Sequence, residues 1–211
     1  MRLTTHINRR VTQSIMRAFD FAKEIDRPLN TYVVVHLRES ERQAATTAFK
    51  IIRHKFRDWL AYKAKQQRVA ISPDYIYAFE NPDDDDAPHV NWALHVPDRL
   101  KAEFEAKLAR WVEKVQGRIE PFDIHVQPIT PSHAKRLAKY ICKGTDAAFV
   151  SYFYLDEVHE PQGEIWGKRA GVSPSIGTAI RKEAGFRPRR GRAARFYPRS
   201  ASGLASHPTM T

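Results

Sequence analysis

The run from Pro88 to Pro97 alternates with a period of two, and it constrains the chain more than any other stretch. Val90, Trp92, Leu94 and Val96 fall on one side, and His89, Asn91, Ala93 and His95 on the other. Residues at i, i+2 and i+4 share a strand face. The run is therefore a strand with one face for a core and one carrying imidazole and amide groups.

Its neighbours place this strand in a sheet. Val11, Ile15, Ala18, Phe19, Ala22 and Ile25 recur at helical spacing, which predicts a helix over 9–26 that stops at Arg27-Pro28. The β-branched run 30–37 predicts a buried strand. A long helix over 41–66 follows, with Ala45, Phe49, Ile52, Phe56, Trp59 and Leu60 on one stripe and Lys50, Arg53, Lys55, Arg57, Lys63 and Lys65 elsewhere. Strands are expected at 75–80, 89–96 and 123–127, with a helix over 98–115 that Gly117 ends. A last helix starts at Thr130-Pro131 and runs to Lys143, where Gly144 suits a left-handed cap.

The order is β-α-β-β-α-β, the split βαβ or ferredoxin-like arrangement of an α+β fold. It implies an antiparallel sheet with helices on one face, the other face open, and the first strand central beside the third. An N-terminal helix and a C-terminal helical extension complete it. The expected divisions are an N-terminal helical extension at 1–27, a catalytic domain at 28–158, a helical segment at 159–186 and a basic tail at 187–211. The tail, rich in Arg, Ser, Pro and Thr, reads as disordered.

The chain has 211 residues, 42% of them apolar and 28% charged, enough for one domain with a core plus appendages. No apolar run approaches a bilayer span, and Met1–Arg10 shows no signal-peptide pattern. The single cysteine, Cys142, excludes an intramolecular disulfide and argues against a Cys-based zinc site. A cytoplasmic protein in a reduced compartment, not associated with membranes, is the expectation. Lys and Arg total 35 against 24 Asp and Glu, a balance that favours a polyanionic partner, nucleic acid first.

Within the hairpin of the second and third strands, direct register sets Glu80 opposite His89 on one face. Glu80, His89 and Asn91 then form a carboxylate, imidazole and amide set suited to Mg²⁺ or Mn²⁺, with water and phosphate oxygens filling the shell. His36, His95 and His125, taken singly, read as exposed sheet residues. Tyr32 and His36 share parity, but the apolar run Val33, Val34 and Val35 leaves their side open. The acidic run 83–86 lacks the pattern of a calcium loop and reads as a solvated turn.

On the last helix Ala134, Leu137, Ala138 and Ile141 form the packing stripe. Tyr140 and Lys143 stand at i and i+3 and are surface neighbours, with Arg136 one turn earlier. A phenol is a poor nucleophile at neutral pH, and nearby cations favour its phenolate. Tyr140 is then the candidate nucleophile toward a phosphodiester, with Lys143 stabilising charge.

These residues resemble the HUH endonuclease superfamily, in particular rolling-circle replication initiators with one catalytic tyrosine. The strand from Tyr32 to Leu37 looks like the family's first motif. His89-Val90-Asn91 stands where the family has His-hydrophobic-His, and Tyr140 to Lys143 is similar to its Tyr-x-x-Lys helix. The likeness covers about residues 28–145. It implies a site-specific DNA nickase and strand transferase acting on single-stranded DNA or an origin hairpin through a phosphotyrosine intermediate. Tyr140 would be the nucleophile, Lys143 its assistant, and His89, Asn91 and Glu80 the ligands of Mg²⁺ or Mn²⁺. Asn91 departs from the usual histidine, although some members carry Gln there and an amide oxygen can bind Mg²⁺. No helicase motif follows, so unwinding would need a separate helicase.

A different signal lies at 168–185, where Ser173-Pro174 starts a helix after a short turn. This suggests a helix-turn-helix-like element, and with it the alternative of a non-catalytic DNA-binding or regulatory protein on a degenerate HUH fold. Candidate DNA contacts are Arg136, Lys139, Lys168, Arg169, Arg181, Arg187, Arg189 and Arg190.

Overall fold

The computed structural model describes residues 2–38, 44–82 and 88–188. The acidic run 83–86, and Arg189 and Arg190 with the rest of the tail, lie outside the described residues.

Helix α1 (Arg9–Glu24) begins where Asn8 turns from extended backbone and its side chain accepts a hydrogen bond from the Val11 N–H, an ordinary N-cap. Strand β2 (Thr31–His36) leads to α2 (Ala45–Gln67), and β3 (Tyr75–Glu80) pairs with β4 (His89–Leu94). A short 3-10 turn precedes α3 (Lys101–Gln116), which Gly117 terminates at φ 80°. Strand β5 (Ile124–Pro128) and α4 (Pro131–Ile141) follow, with Pro131 at the first helical position.

Main-sheet order is β5-β2-β4-β3-β7, with β7 at Ala170–Val172, and every neighbouring pair is antiparallel. The β-α-β-β-α-β order and the central pairing of β2 with β4 agree with the expected α+β arrangement. Two features go beyond it. Strand β7 adds a fifth member at the edge beside β3, and β1 (Leu3–Thr4) pairs with β6 (Ile165–Trp166) in a small ribbon.

One sheet face carries Val33, Val35, Tyr77, Phe79, Val90, Trp92 and Leu94 beneath the apolar stripes of α2 and α3. Trp92 is fully buried at the centre, with Phe49, Phe56, Tyr75 and Phe104 meeting its ring edge-on.

The opposite face is not open, contrary to the expectation. Tyr32, Ile76, Ala78 and Ala93 are packed with Ile15, Ala18, Phe19 and Ala22 of α1, with Ala138 and Ile141 of α4, and with Phe153, Leu155 and Ile176 beyond. The physical reason is that only one end of this face is polar. Val34, Ala78, Ala93 and Ile76 on it are apolar, and α1 has an apolar stripe that must be buried somewhere.

The C-terminal segment also differs from its reading. Residues 168–185 form β7, a 3-10 turn and the six-residue α5 (Thr178–Glu183), with an extended stretch where a first helix would stand. This is not a helix-turn-helix. Arg169 and Arg181 are 3% and 5% exposed, so neither is a surface phosphate contact. Arg169 donates to the carbonyls of Phe79, Gln162, Thr4 and Gly163, and Arg181 to Ser14, Ile176 and Thr178. Each guanidinium ties together backbone segments far apart in the chain, a role that local sequence does not reveal. Among the described residues, no helix is long and apolar enough to cross a membrane.

Candidate active site

Sheet register builds the site. His36 of β2 lies opposite His89 of β4, and His89 opposite Glu80 of β3, so the three form one row at the end of the sheet. The next row on that face is Val34, Asn91 and Ala78, and the third is Tyr32, Ala93 and Ile76. Val34 thus shares the face of Tyr32 and His36, which resolves the parity that the apolar run had left open.

Glu80 is only 2% exposed, and a buried carboxylate requires partners. His89 Nε2 lies 3.0 Å from Glu80 Oε2, and the Lys143 ammonium lies 3.0 Å from the same oxygen. That ammonium also donates to Tyr140 Oη at 3.4 Å and sits 4.6 Å from the centre of the Tyr140 ring. Glu160 approaches it at 3.6 Å. Tyr140 itself is 39% exposed, so its hydroxyl stands where a buried charged cluster meets solvent.

The turn after α4 positions Lys143. The helix ends at Ile141, and the Lys143 N–H donates to the Tyr140 carbonyl. The Lys143 carbonyl accepts from the Glu160 N–H at 3.2 Å and lies 2.9 Å from His159 Nδ1. On the other side, the Ile7 N–H donates to the Gly144 carbonyl and the Asp146 N–H to the Ile7 carbonyl. Gly144 is not in the left-handed conformation that was expected. Glycine is required there by close approach, since a Cβ would stand 2.9 Å from Gln162 Cγ.

Electrostatics follow from this packing. Burial alone would depress the Lys143 pKa, but the Glu80 charge and hydrogen bond outweigh it, Tyr140 adds to them, and the net direction is upward. Lys143 is therefore a firmly charged ammonium in the neutral range.

Tyr32 is a site residue that sequence reading placed only by parity. Its hydroxyl donates to Asn91 Oδ1, reaching diagonally across from β2 to β4 past the small Val34 and Ala93. Burial first, then the nearby Tyr140 and Glu80, raises its pKa far above the usual phenol value, so it stays protonated and remains a donor. Tyr32→Phe is expected to leave the buried Asn91 oxygen without a donor and to destabilise the protein by about 1–3 kcal/mol. Urea denaturation of the two proteins measures this.

The donor set accommodates a divalent cation in part. Among the described residues no group of three or more His, Cys, Asp or Glu side chains is placed to hold a metal ion. Glu80 and His89 are nevertheless adjacent, and Glu80 Oε1 is buried without a hydrogen-bond partner among the described residues. Asn91, the third expected ligand, has its oxygen engaged by Tyr32, while its Nδ2 has no hydrogen-bond partner among the described residues. Two protein ligands with water and phosphate oxygens suit Mg²⁺, which rarely takes an all-protein cage.

The structure thus brings Tyr140, Lys143, Glu80 and His89 into direct contact and sets Asn91 on the same face of β4. Arg136, Lys168 and Arg187 are exposed and Lys139 is partly buried, so these four remain available as surface cations. His125 is exposed, and His95 Nδ1 lies 2.8 Å from the Pro28 carbonyl, away from this row. Glu160 and His159 join the site from a segment that carries no motif. No protein-family model and no curated protein matches this chain.

Proposed function

We propose that the protein is a metal-dependent endonuclease that nicks and rejoins single-stranded DNA through a phosphotyrosine at Tyr140. One observation carries this reading: a single ammonium, Lys143, bridges a solvent-facing tyrosine hydroxyl and a buried carboxylate that also contacts an imidazole. A merely amphipathic helix has no need of that linkage.

Tyr140 Oη forms the bond to phosphorus as the bond to the 3′ oxygen breaks, and the phenolic proton leaves for the departing oxygen, directly or through water. Lys143 stabilises the phenolate as the proton departs. Glu80 holds Lys143 at this position and, through the same oxygen, orients the His89 ring. A Mg²⁺ or Mn²⁺ ion held by Glu80 and His89 would supply polarisation of the phosphate. Attack by a 3′-hydroxyl on the phosphotyrosine reverses the step and joins strands. An origin hairpin is the natural source of single-stranded substrate, and unwinding would fall to a separate helicase.

The test is a denaturing gel with a labelled, random-sequence single-stranded DNA library in Mn²⁺. The expected result is a detergent-stable protein–DNA adduct that disappears in Tyr140→Phe. Absence of any adduct, with DNA still bound, sinks the reading in favour of a non-catalytic DNA binder. Two observations favour that second reading: Asn91 directs its oxygen to Tyr32, and an ammonium already neutralises Glu80.

A further inference from the structure

A pocket of about 270 Å³ adjoins the catalytic row, lined by His36, Leu37, Arg38, Pro121, Phe122 and Asp123. His36 is shared between this lining and the row: its ring centre lies 5.1 Å from that of His89, whose imidazole contacts Glu80. Leu37 is fully buried and belongs to the main core, so this part of the lining is fixed.

Phe122 is 90% exposed, more than any other large apolar side chain among the described residues. Its backbone is left-handed, at φ 74°, a conformation that bulky side chains rarely adopt. The loop that presents it is fastened. Arg38 Nη2 donates to both Asp123 carboxylate oxygens, at 2.8 and 3.1 Å, and Asp123 Oδ2 accepts the Glu120 N–H at 2.7 Å. The Asp123 carbonyl in turn accepts the His36 N–H. The Arg38 guanidinium, fixed by this pair, forms part of the pocket lining.

We infer that this pocket receives one nucleobase of a single-stranded DNA, stacked on Phe122, from the same strand that presents its phosphate to Tyr140. The inference rests on the proposed reading in taking DNA as the polymer that crosses the site. Several observations select this occupant. The volume falls below the roughly 300 Å³ at which drug-sized pockets begin, which suits a single ring system. A ring held in solvent beside a guanidinium matches the flat face and polar edge of a base. The formal net charge of +11 favours a polyanion. Double-stranded DNA is excluded as the occupant, since its bases are stacked on each other and only unstacked bases reach such a platform.

The test is fluorescence anisotropy in EDTA, with Tyr140→Phe protein so that nicking does not intervene. The probe is a labelled oligothymidylate of about 20 nucleotides, longer than the roughly 4–16 nucleotides one binding domain covers. Phe122→Asn is the informative variant, because asparagine tolerates left-handed backbone. It is expected to bind about tenfold more weakly, the loss of one stacked base. Phe122→Tyr is expected to bind like the parent, and Tyr62→Asn, which removes another exposed aromatic on α2, is expected to change nothing. Affinity for a duplex of the same length should not move. The inference is overturned if Phe122→Asn holds the oligonucleotide within about twofold of the parent, if duplex affinity falls equally, or if Tyr62→Asn does as much. Failure of the adduct assay leaves this readout intact, and failure here leaves the adduct assay intact.

Discussion

Replacing Glu80 with alanine is expected to destabilise the protein by about 3–5 kcal/mol, the usual consequence of removing one partner of a buried ion pair. Lys143 is 9% exposed, and without the carboxylate its ammonium would be left with Tyr140 and the more distant Glu160. His89 would lose its contact at the same time. Urea denaturation measures the loss, and an unchanged slope with denaturant would assign it to the native state. The companion variant Glu80→Leu/Lys143→Met separates charge from packing, because replacing a whole buried pair with apolar groups is often close to neutral. It should recover most of the stability while forming no adduct. If the double variant is as unstable as Glu80→Ala, packing and not the uncompensated charge holds this end of the sheet. The pH dependence has a definite sign. A lysine whose folded pKa is raised contributes fully below its unfolded value and loses that contribution as pH rises through the folded one. The deficit of Glu80→Ala should therefore stay constant across the neutral range and shrink only in strong alkali.

Arg169→Met is expected to cost about 3–5 kcal/mol of stability while leaving the affinity of the folded protein for single-stranded DNA unchanged. The guanidinium donates to carbonyls of four residues, among them Phe79 at 3.2 Å, Gln162 at 2.9 Å and Thr4 at 2.8 Å. Hydrogen bonds from a charged donor each contribute about 1.5–3 kcal/mol, but the sum is not reached because the partly buried acceptors regain water. Thermal denaturation, with anisotropy recorded well below the transition, distinguishes the two effects. Lys168→Ala is the control: its side chain is exposed, and an exposed substitution of this kind changes stability by no more than about 0.5 kcal/mol. An Arg169 variant that keeps its stability but loses DNA affinity would contradict the structural assignment.

Local signals made much of the fold legible. The two-residue alternation of β4 and its direct pairing with β3 were enough to set Glu80 against His89, because a one-residue slip would turn Trp92 out of the core. Helical spacing located α1, α2, α3 and α4 to within a few residues at each end, since an apolar stripe of that period has only one way to be buried. Tyr140 and Lys143 were visible as neighbours from their separation alone. Arg169 shows where such reading stops. A basic residue in a polar stretch looks like a surface cation, and nothing nearby in the chain announces the carbonyls of Thr4 and Phe79 that enclose it.

The same division runs through the site. Periodicity and spacing, which are properties of short segments, determined the strand face carrying Glu80, His89 and Asn91 and the helix face carrying Tyr140. Which of these groups touch was decided by packing between segments far apart in the chain. The packing of α4 and the turn after it on the second sheet face brings the Lys143 ammonium to Glu80, and the pairing of β2 with β4 sets Tyr32 against Asn91. The reason is that a buried charge or amide is stable only with partners supplied from elsewhere. Those partners come from the tertiary fold, and the pattern of residues along one strand does not contain them.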